Sequence, residues 1–338
     1  MIVFFLVLSI GFQAGEFSPS PPIKLEKLGE LKSISAERMF HNIDDLCFDN
    51  DGNLYVSDSG RNEICIFDKK NNLLAILGTE GQGSGELFGL PGKSPIYLSH
   101  GGIKLLYVTD FGNRRLTVFD KSRVVYEYSI PKLNMNKIVG DDFGCFYVID
   151  GADKDLITCH RMMDKKEVRF FGYKNHFYYP LSRPPWEQKI IAEGDIQIEI
   201  EKTGNHDVIV FSNHSLNAFR CAGARANKII TINQKEFLED FGARLMNSIK
   251  ANSFINPMRF HLDTNGNLCF AYYNRSKGRD ELYIYNNKGN YLGMAYLPRR
   301  TMRVFGFSEN GNLYIVEDAT KIGIYDYANS KFGPSKTL

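Results

Sequence analysis

A four-strand phrase that returns along the chain is the feature that most constrains the fold. In its first copy, four short apolar runs are separated by Asp-Gly-Asn, Ser-Gly-Arg-Asn and Lys-Lys-Asn-Asn, which are turn residues at hairpin spacing. The runs are Leu46–Phe48, Leu54–Ser57, Ile64–Phe67 and Leu73–Leu77. This spacing predicts a four-stranded antiparallel meander. Because one meander cannot bury both of its faces, repeated copies are expected to stack around an axis as a β-propeller.

Aligning the copies on their second strand gives six anchor residues, of which the fourth is inferred. The anchors are Tyr55, Tyr107, Tyr147, Val210, Cys269 and Tyr314. Their separation of roughly fifty residues suits a blade of four strands with turns. The sequence therefore predicts an all-β, six-bladed propeller of four-stranded antiparallel blades. The alternative is a β-sandwich, whose strands also alternate but which has no reason to repeat a phrase.

The same residues carry a family resemblance. Residues 110–120, DFGNRRLTVFD, resemble the NHL repeat, in which Asp, Asn and Arg precede an apolar strand that ends in Phe-Asp. The first copy departs from that phrase, because Arg61 and Glu63 stand where Asn and Arg are expected. Residues 77–86, LGTEGQGSGE, resemble an element of bacterial six-bladed propeller proteins with secretion signals. The resemblance implies the fold but not the function, since propellers host binding modules and enzymes alike.

The two ends of the chain predict how the ring closes. Residues 23–29, IKLEKLG, look like an outer strand without inner strands before it, whereas the last copy has three strands followed by a polar tail. We expect the N-terminal strand to complete the last blade and so remove its free edge. In that position Leu25 and Leu28 are expected to be buried.

The first residues indicate export. Residues 1–15 are mostly apolar and too short to span a bilayer, and we interpret them as a signal peptide. Residues 16–22 are then a linker, and 23–338 form the propeller. No Lys or Arg precedes the apolar run, and residues 12–14 are a poor cleavage site, so the alternative is a buried or interfacial N-terminus. We expect an extracytoplasmic monomer, periplasmic, cell-surface or secreted, without a membrane span in the mature chain.

Composition and cysteine spacing narrow the function classes. The chain has 41 Lys+Arg and 39 Asp+Glu, a formal charge of +2 that does not by itself indicate a nucleic-acid or lipid partner. The six cysteines lack the spacing of a zinc site. Cys145 and Cys159 flank a turn, and they either form a disulfide in an oxidising compartment or remain reduced and buried. The glycines of 81–85 lack the following helix of a dinucleotide loop, and we expect an interblade turn with positive φ.

One face of the propeller is expected to carry the long insertions. We define the upper face as the side where second-to-third-strand loops and interblade connections emerge. The insertions 79–94, 172–192 and 222–256 fall on it, and loops of that length usually bind or cover something. The third is predicted to contain one short helix, with an apolar stripe over 237–249 and a cap at 233–236.

Aromatic and cationic residues in these loops predict a ligand site on the upper face. Rings stack on sugars, bases or a partner's side chains, and arginines add charge-assisted hydrogen bonds. We therefore expect a module that binds a protein or a glycan, without a cofactor or catalytic residue. The alternative is that the aromatic loop buries its own rings. The predicted ligand-binding residues are Tyr173, His176, Tyr178, Arg183, Trp186, Arg275 and Arg279.

Two other functions remain open. The predicted starts of the inner strands carry oxygens that suit Ca²⁺, and six-bladed lactonases hold a divalent cation in the axial channel. That resemblance implies a calcium-dependent hydrolase or lyase, although carboxylates and amides are also ordinary at strand starts. Nucleic-acid binding through basic upper-face loops is the other alternative, and export would argue against it. The candidate calcium ligands are Asn42, Asp44, Asp45, Asn136, Asp195 and Asn256.

Overall fold

The computed structural model describes residues 22–89, 96–101, 104–130, 138–141, 143–150, 156–172, 196–200, 208–212, 217–222, 225–231, 259–274, 277–298 and 304–330. Within these ranges the chain forms strands and turns, and no helix. The strands in chain order are β1 (Glu26–Leu31), β2 (Ser33–Ser35), β3 (Arg38–Met39), β4 (Ile43–Phe48), β5 (Leu54–Asp58), β6 (Glu63–Phe67), β7 (Leu73–Leu77), β8 (Ile96–His100), β9 (Leu105–Asp110), β10 (Arg115–Asp120), β11 (Arg123–Ser129), β12 (Val139–Gly140), β13 (Cys145–Asp150), β14 (Leu156–Arg161), β15 (Lys166–Gly172), β16 (Ile196–Ile200), β17 (Val208–Ser212), β18 (Asn217–Ala222), β19 (Arg225–Thr231), β20 (Arg259–Leu262), β21 (Leu268–Asn274), β22 (Arg279–Tyr285), β23 (Tyr291–Tyr296), β24 (Phe305–Phe307), β25 (Asn312–Asp318) and β26 (Lys321–Asp326).

The strands assemble into four-stranded antiparallel sheets arranged as propeller blades. Five sheets are built from consecutive strands, namely β4–β7, β8–β11, β12–β15, β16–β19 and β20–β23. A further sheet joins the N-terminal strand to the last three strands, in the order β1-β26-β25-β24. The innermost strands β4, β8, β12, β16, β20 and β24 contact one another in turn, and β24 contacts β4. The chain is therefore an all-β propeller, and we number its blades from the sheet β4–β7.

All six repeat anchors lie on the second strand of a sheet, as the alignment of the copies predicted. This holds for Val210, the anchor of the inferred copy, which lies in β17. The other anchors lie in β5, β9, β13, β21 and β25. The repeated phrase therefore marks the blades along the whole described chain.

The N-terminal strand closes the last sheet, as predicted. Strand β1 pairs antiparallel with β26, from Glu26 opposite Asp326 to Leu31 opposite Ile322. The pairing begins later than residues 23–29 suggested, because Ile23 instead bridges Ala295 in the neighbouring blade. The backbone N–H of Ile23 donates to the Met294 carbonyl at 2.7 Å.

The prediction that Leu28 is buried was wrong. A register shift between Lys27 and Gly29 interrupts the pairing of β1, and Leu28 is 53% exposed. The apolar contacts come from the ends of the segment instead, since Leu31 is 9% exposed in the core and Leu25 is partly buried. A bulge displaces the alternation of side chains by one position, which reverses the inward and outward faces.

Close packing joins adjacent blades. Phe48 of β4 meets Tyr314 of β25 edge to face, with ring centroids 5.0 Å apart. At Gly140 an added Cβ would lie 2.2 Å from the ring of Tyr107, whose hydroxyl donates to the Asp141 carbonyl at 2.5 Å. Only glycine lets the backbone of the third blade approach that ring so closely.

The two faces of the propeller differ in the length of their connections. Because successive strands alternate in direction, all interblade connections and second-to-third-strand loops emerge on the upper face. The longest connections are 78–95, 173–195 and 232–258, all between blades. On the opposite, lower face the widest gap between strands is 201–207.

Several predictions concern residues beyond the described ranges. The signal peptide and all of the linker except Pro22 lie there, as does the helix predicted over 237–249. In the described part of the chain, no helix has the length and apolar character required to cross a membrane.

Candidate functional site

A polar cluster lies where β4 begins, at the upper end of the innermost strand of the first blade. The Asn42 side-chain amide donates to Asp44 Oδ1 at 2.7 Å and to Ser59 Oγ at 2.8 Å. A register shift between Ile43 and Asp45 makes Asp44 the extra residue of a bulge. Three of the predicted calcium ligands, Asn42, Asp44 and Asp45, are thus brought together.

Both aspartates of this cluster bind the inner strand of the second blade. Asp44 Oδ2 accepts from the backbone N–H of Ile96 at 3.2 Å, and Asp45 Oδ2 accepts from that of Leu98 at 2.9 Å. Adjacent residues of a regular strand point to opposite faces, and the bulge lets both carboxylates reach the same neighbour. Each therefore satisfies a backbone donor of β8 and helps to join the two blades.

Burial raises the pKa of Asp44 from 3.8 to about 6. The hydrogen bonds from Ser59 and from the Ile96 backbone favour the charged form, but they do not offset the loss of hydration. The carboxylates of Asp45 and Asp58 add a smaller contribution in the same direction as burial. Asp44 therefore takes up a proton in the folded chain at a pH at which the unfolded chain has already lost it.

The stability contributed by Asp44 is expected to fall as pH rises from about 4 to about 7. The folded pKa lies above the unfolded one, so the folded state binds more protons in this window and its stability is highest below it. A difference of about two pKa units corresponds to about 3 kcal/mol. We expect Asp44→Asn to remove this dependence. The free energy of unfolding of the variant, relative to that of wild type, should therefore increase between pH 4 and 7.

Urea denaturation of both proteins across that range measures the difference directly. Asp51→Asn is the control, because it removes an exposed carboxylate from a lower-face turn of the same blade. A difference between wild type and Asp44→Asn that stays constant with pH would contradict the prediction.

In the second blade, the NHL-like phrase forms hydrogen bonds to the connection that arrives from the first blade. Asp110 Oδ2 accepts from the backbone N–H of Phe88 at 3.1 Å and from the Asn113 amide at 2.7 Å. The Arg115 guanidinium donates to the carbonyls of Gly83 and Glu86 at 2.6 and 2.5 Å. Asn113 also donates to the Gly81 carbonyl at 2.9 Å, so the Asp, Asn and Arg of the phrase bind the backbone of the Gly-rich turn and of Phe88, which follows it.

That turn has the backbone geometry predicted for it. Gly81 and Gly85 have φ values of 155° and 75°, in the region that favours glycine. The backbone N–H of Gly83 donates to Glu86 Oε2 at 2.6 Å, so the turn is closed by its own carboxylate. The interblade turn predicted for residues 81–85 is confirmed.

The first blade also binds the connection that arrives at it, but with the positions of the cation and the anion exchanged. Glu63, at the position of Arg115, pairs with Arg38 Nη2, which donates to Glu63 Oε2 at 2.6 Å. Arg61 Nε donates to the Met39 carbonyl at 2.9 Å. Here the cation Arg38 lies in the arriving connection and the anion lies on the strand. Arg38 therefore compensates the departure from the NHL phrase at position 63, whereas Arg61 makes its own bond to the arriving connection.

A cleft on the side of the propeller was not anticipated from the sequence. It has a volume of about 440 Å³ and lies between β11 of the second blade and β14 of the third. We call it the side cleft. Its lining combines two tyrosines with a histidine and two cations, and the residues are Val125, Tyr126, Glu127, Tyr128, His160, Arg161 and Lys165. No loop motif marks it, because its two walls come from strands of different blades.

Comparison with known proteins agrees with the propeller fold. Residues 40–67 match the family model of the NHL repeat. The chain is a β-propeller that contains an NHL repeat. No curated protein matches the sequence significantly.

Solved structures share the fold of this propeller at low sequence identity. A candidate exported protein from Bacteroides fragilis has 13% identity and a TM-score of 0.54, over 89% of this chain and 94% of its own. A member of the DUF4221 family from Bacteroides vulgatus has 11% identity and a TM-score of 0.54, over 90% and 97% of the two chains. The WD40 β-propeller domain of Doa1 has 13% identity and a TM-score of 0.50, over 89% and 97%. At these identities the likeness concerns the fold alone.

Arg279 is the described member of the ligand set predicted for the upper face of the propeller. Its Nε lies 3.4 Å from Oε1 of Glu281, whose side chain is fully buried, and its guanidinium lies over the Tyr296 ring. The hydroxyl of Tyr283 also donates to this carboxylate, at 2.7 Å. Arg279 therefore balances a buried charge within the blade. Its side chain remains 31% exposed, and its role in ligand binding stays a prediction.

The remaining predicted site residues of the propeller lie outside the described ranges. They are the ligand-binding residues Tyr173, His176, Tyr178, Arg183, Trp186 and Arg275, and the calcium ligands Asn136, Asp195 and Asn256. Among the residues that the structure describes, no group of three His, Cys, Asp or Glu side chains has the arrangement of a metal site. Calcium binding in the axial channel stays a prediction.

The third blade of the propeller holds the two cysteines that were considered for a disulfide. Cys145 and Cys159 are free thiols on adjacent strands. Burial raises the pKa of Cys145 to about 12, and the Asp141 carboxylate acts in the same direction. Both thiols are thereby held in their protonated form at neutral pH.

Proposed function

We propose that this chain is an exported, six-bladed, NHL-like propeller that binds a partner protein or a glycan through its upper face. The asymmetry of its connections carries the proposal. The connections 78–95, 173–195 and 232–258 all leave and return on the upper face, whereas lower-face turns are short. Long loops on a rigid scaffold are the usual location of binding residues.

The sequence of the second long connection supports a ligand that is extended and partly anionic. Residues 173–186 carry five aromatic side chains together with Arg183. Aromatic rings stack on sugar faces or on a partner's side chains, and guanidinium groups bind carboxylates. Arg114, exposed in the upper loop of the second blade, adds positive charge to the same face.

Two observations support export. The first fourteen residues are almost wholly apolar, and one protein with this fold is a candidate exported protein from Bacteroides fragilis. The mass of the mature chain tests this part of the proposal, because export requires cleavage near residue 15. A mature chain that retains Met1 would contradict it.

Trp186 provides a direct test of the upper-face site, because it is the single tryptophan of the chain. Oligogalacturonate and an Asp-rich peptide represent the two anionic ligand classes, and a neutral oligosaccharide of equal length is the control. We expect an anionic ligand to change the Trp186 emission and the neutral one to leave it unchanged. We also expect Trp186→Ala to weaken binding about tenfold or more, since one stacked ring contributes about 1–3 kcal/mol. An anionic ligand that binds in calorimetry with unchanged Trp186 emission, and with equal affinity for Trp186→Ala, would contradict the proposal.

A further inference from the structure

The side cleft has a rigid aromatic wall built by a β-bulge. The register of β11 against β10 shifts between Val118 and Phe119, because Val125 is an extra residue in β11. As a result Val124 packs toward the first blade, whereas Tyr126 and Tyr128 pack toward the third. Tyr126 and Tyr128 therefore face the same cleft. The hairpin turn between β10 and β11 does not predict this, because the sequence of the turn does not reveal the bulge at Val125.

The floor of the side cleft holds these rings in place. Phe146 is fully buried, and its ring centroid lies 6.0 Å from that of Tyr126 and 5.3 Å from that of Tyr128. His160 stacks on Phe146 at 5.0 Å with an interplanar angle of 8°. The Tyr128 and His160 rings are themselves 5.0 Å apart. A ligand that enters the cleft meets rings that are already ordered, which lowers the entropic cost of binding.

Among the described side chains, two cations lie at the rim of the side cleft. Arg161 pairs with Asp164 at 2.8 Å, and both side chains are nearly half exposed. Lys165 follows in the same turn and is also exposed. The Glu127 carboxylate is engaged elsewhere, since it lies 3.3 Å from Arg115 and accepts from the backbone N–H of Gly85. The two cations and one paired carboxylate of this turn favour a ligand with carboxylates.

Two large apolar side chains lie exposed on neighbouring turns of the third blade. Met163 is 95% exposed and Phe143 is 70% exposed. Their turns are joined by a hydrogen bond of 2.9 Å from the Met162 N–H to the Gly144 carbonyl. Val125, at the cleft itself, is 38% exposed. Aromatic, methionine and arginine side chains grouped in this way are typical of protein interfaces.

We propose that the side cleft docks an acidic peptide segment of a partner protein. An apolar anchor of the segment packs against the exposed edges of Tyr126, Tyr128 and His160, and flanking carboxylates face Arg161 and Lys165. The neighbouring apolar side chains favour a peptide over a glycan, because the rest of a peptide covers Phe143 and Met163 whereas a polar sugar leaves them in water. This surface is separate from the upper face, and its function does not depend on the one proposed there.

Selection from a phage-displayed library of random dodecapeptides tests the proposal with the full chain as target. We expect the enriched peptides to carry net negative charge around an aromatic or aliphatic residue. Their binding is expected to weaken at least about tenfold in the double variant Arg161→Glu/Lys165→Glu and to decrease with added salt. Met163→Ser is expected to weaken it without changing the salt dependence. Lys288→Glu is the matched control, because Lys288 is an exposed lysine in the corresponding turn of the fifth blade.

Three results would overturn the proposal. The first is enrichment of peptides that bind wild type and the double variant equally, provided that both have the same melting temperature. The second is the absence of any peptide whose binding depends on the side cleft. The third is displacement of a selected peptide from the cleft by oligogalacturonate but not by other acidic peptides, which would indicate a glycan site. Trp186 emission should stay constant when a selected peptide binds, and this separates the side cleft from the upper face.

Discussion

A chain that lacks residues 1–31 is expected to lose several kcal/mol of stability and to aggregate at temperatures at which the longer chain remains folded. The deletion removes β1, which leaves the hydrogen-bonding edge of β26 unpaired. It also removes Leu31 from the core, and the burial of one leucine contributes about 1.5–3 kcal/mol. Because domains are stable by only about 5–15 kcal/mol in total, losing the strand pairing as well brings the last blade close to unfolding.

Thermal denaturation monitored by circular dichroism, with light scattering for aggregation, measures this loss. The matched control is the chain that begins at residue 22, which keeps β1 and its pairing. Lys27→Ala provides a smaller perturbation, because it keeps the strand pairing and removes the contacts of one exposed side chain, chiefly its ion pairs with Glu317 of β25 at 2.8 Å and with Glu30 at 3.3 Å. If the chain that lacks β1 kept the melting temperature of the control, closure of the last blade by the N-terminal strand would not stabilise the propeller.

Asp58→Ala is expected to destabilise the folded chain by about 3–5 kcal/mol, because it removes a buried carboxylate that accepts hydrogen bonds from three backbone N–H groups. Asp58 has no exposed surface. Its two carboxylate oxygens accept from the backbone N–H groups of His41 and Asn42, each at 2.8 Å, and of Gly60 at 3.1 Å. These bonds hold the entry of β4 against the upper end of β5, so their loss is expected to loosen the polar cluster of Asn42 and Asp44.

Asp68→Ala is the matched control for this substitution. Asp68 also caps a turn of the first blade, where it accepts from the backbone N–H groups of Lys70 and Asn72, but its bonds are at the surface. Water can replace an acceptor there, so only a small loss is expected. Urea denaturation of the two variants compares them directly. Equal losses would show that burial does not determine the contribution of the Asp58 carboxylate.

The repeat was sufficient to predict the sheets. Hairpin turns and alternating apolar residues are local properties, so each copy of the phrase specified its own four strands. The missing outer strand of the last copy and the unaccompanied strand at residue 23 likewise predicted that β1 would close the last sheet. The pattern did not predict the register of β1, because the shift between Lys27 and Gly29 has no local signature, and Leu28 therefore lies in solvent.

The candidate site could be predicted only in part. The positions of Asp44 and Asp45 at an inner-strand start were apparent from the repeat, whereas their bonds to Ile96 and Leu98 depend on a bulge and on the neighbouring blade. The ligand-binding residues of the upper face were predicted from the composition of individual loops. Each loop is a continuous segment, so its composition can be determined directly from the sequence.

By itself the sequence determined the sheets, their order and the closure of the last sheet by the N-terminal strand, because hairpin spacing and strand count are properties of consecutive residues. Only the tertiary structure decided which side chains meet between blades. Tyr128 and His160 come from different copies of the phrase, and they share one cleft because blades pack face to face and because Val125 displaces the alternation of β11 by one residue. Contacts of this kind depend on packing between distant segments, and the alternation of residues within a single strand does not predict them.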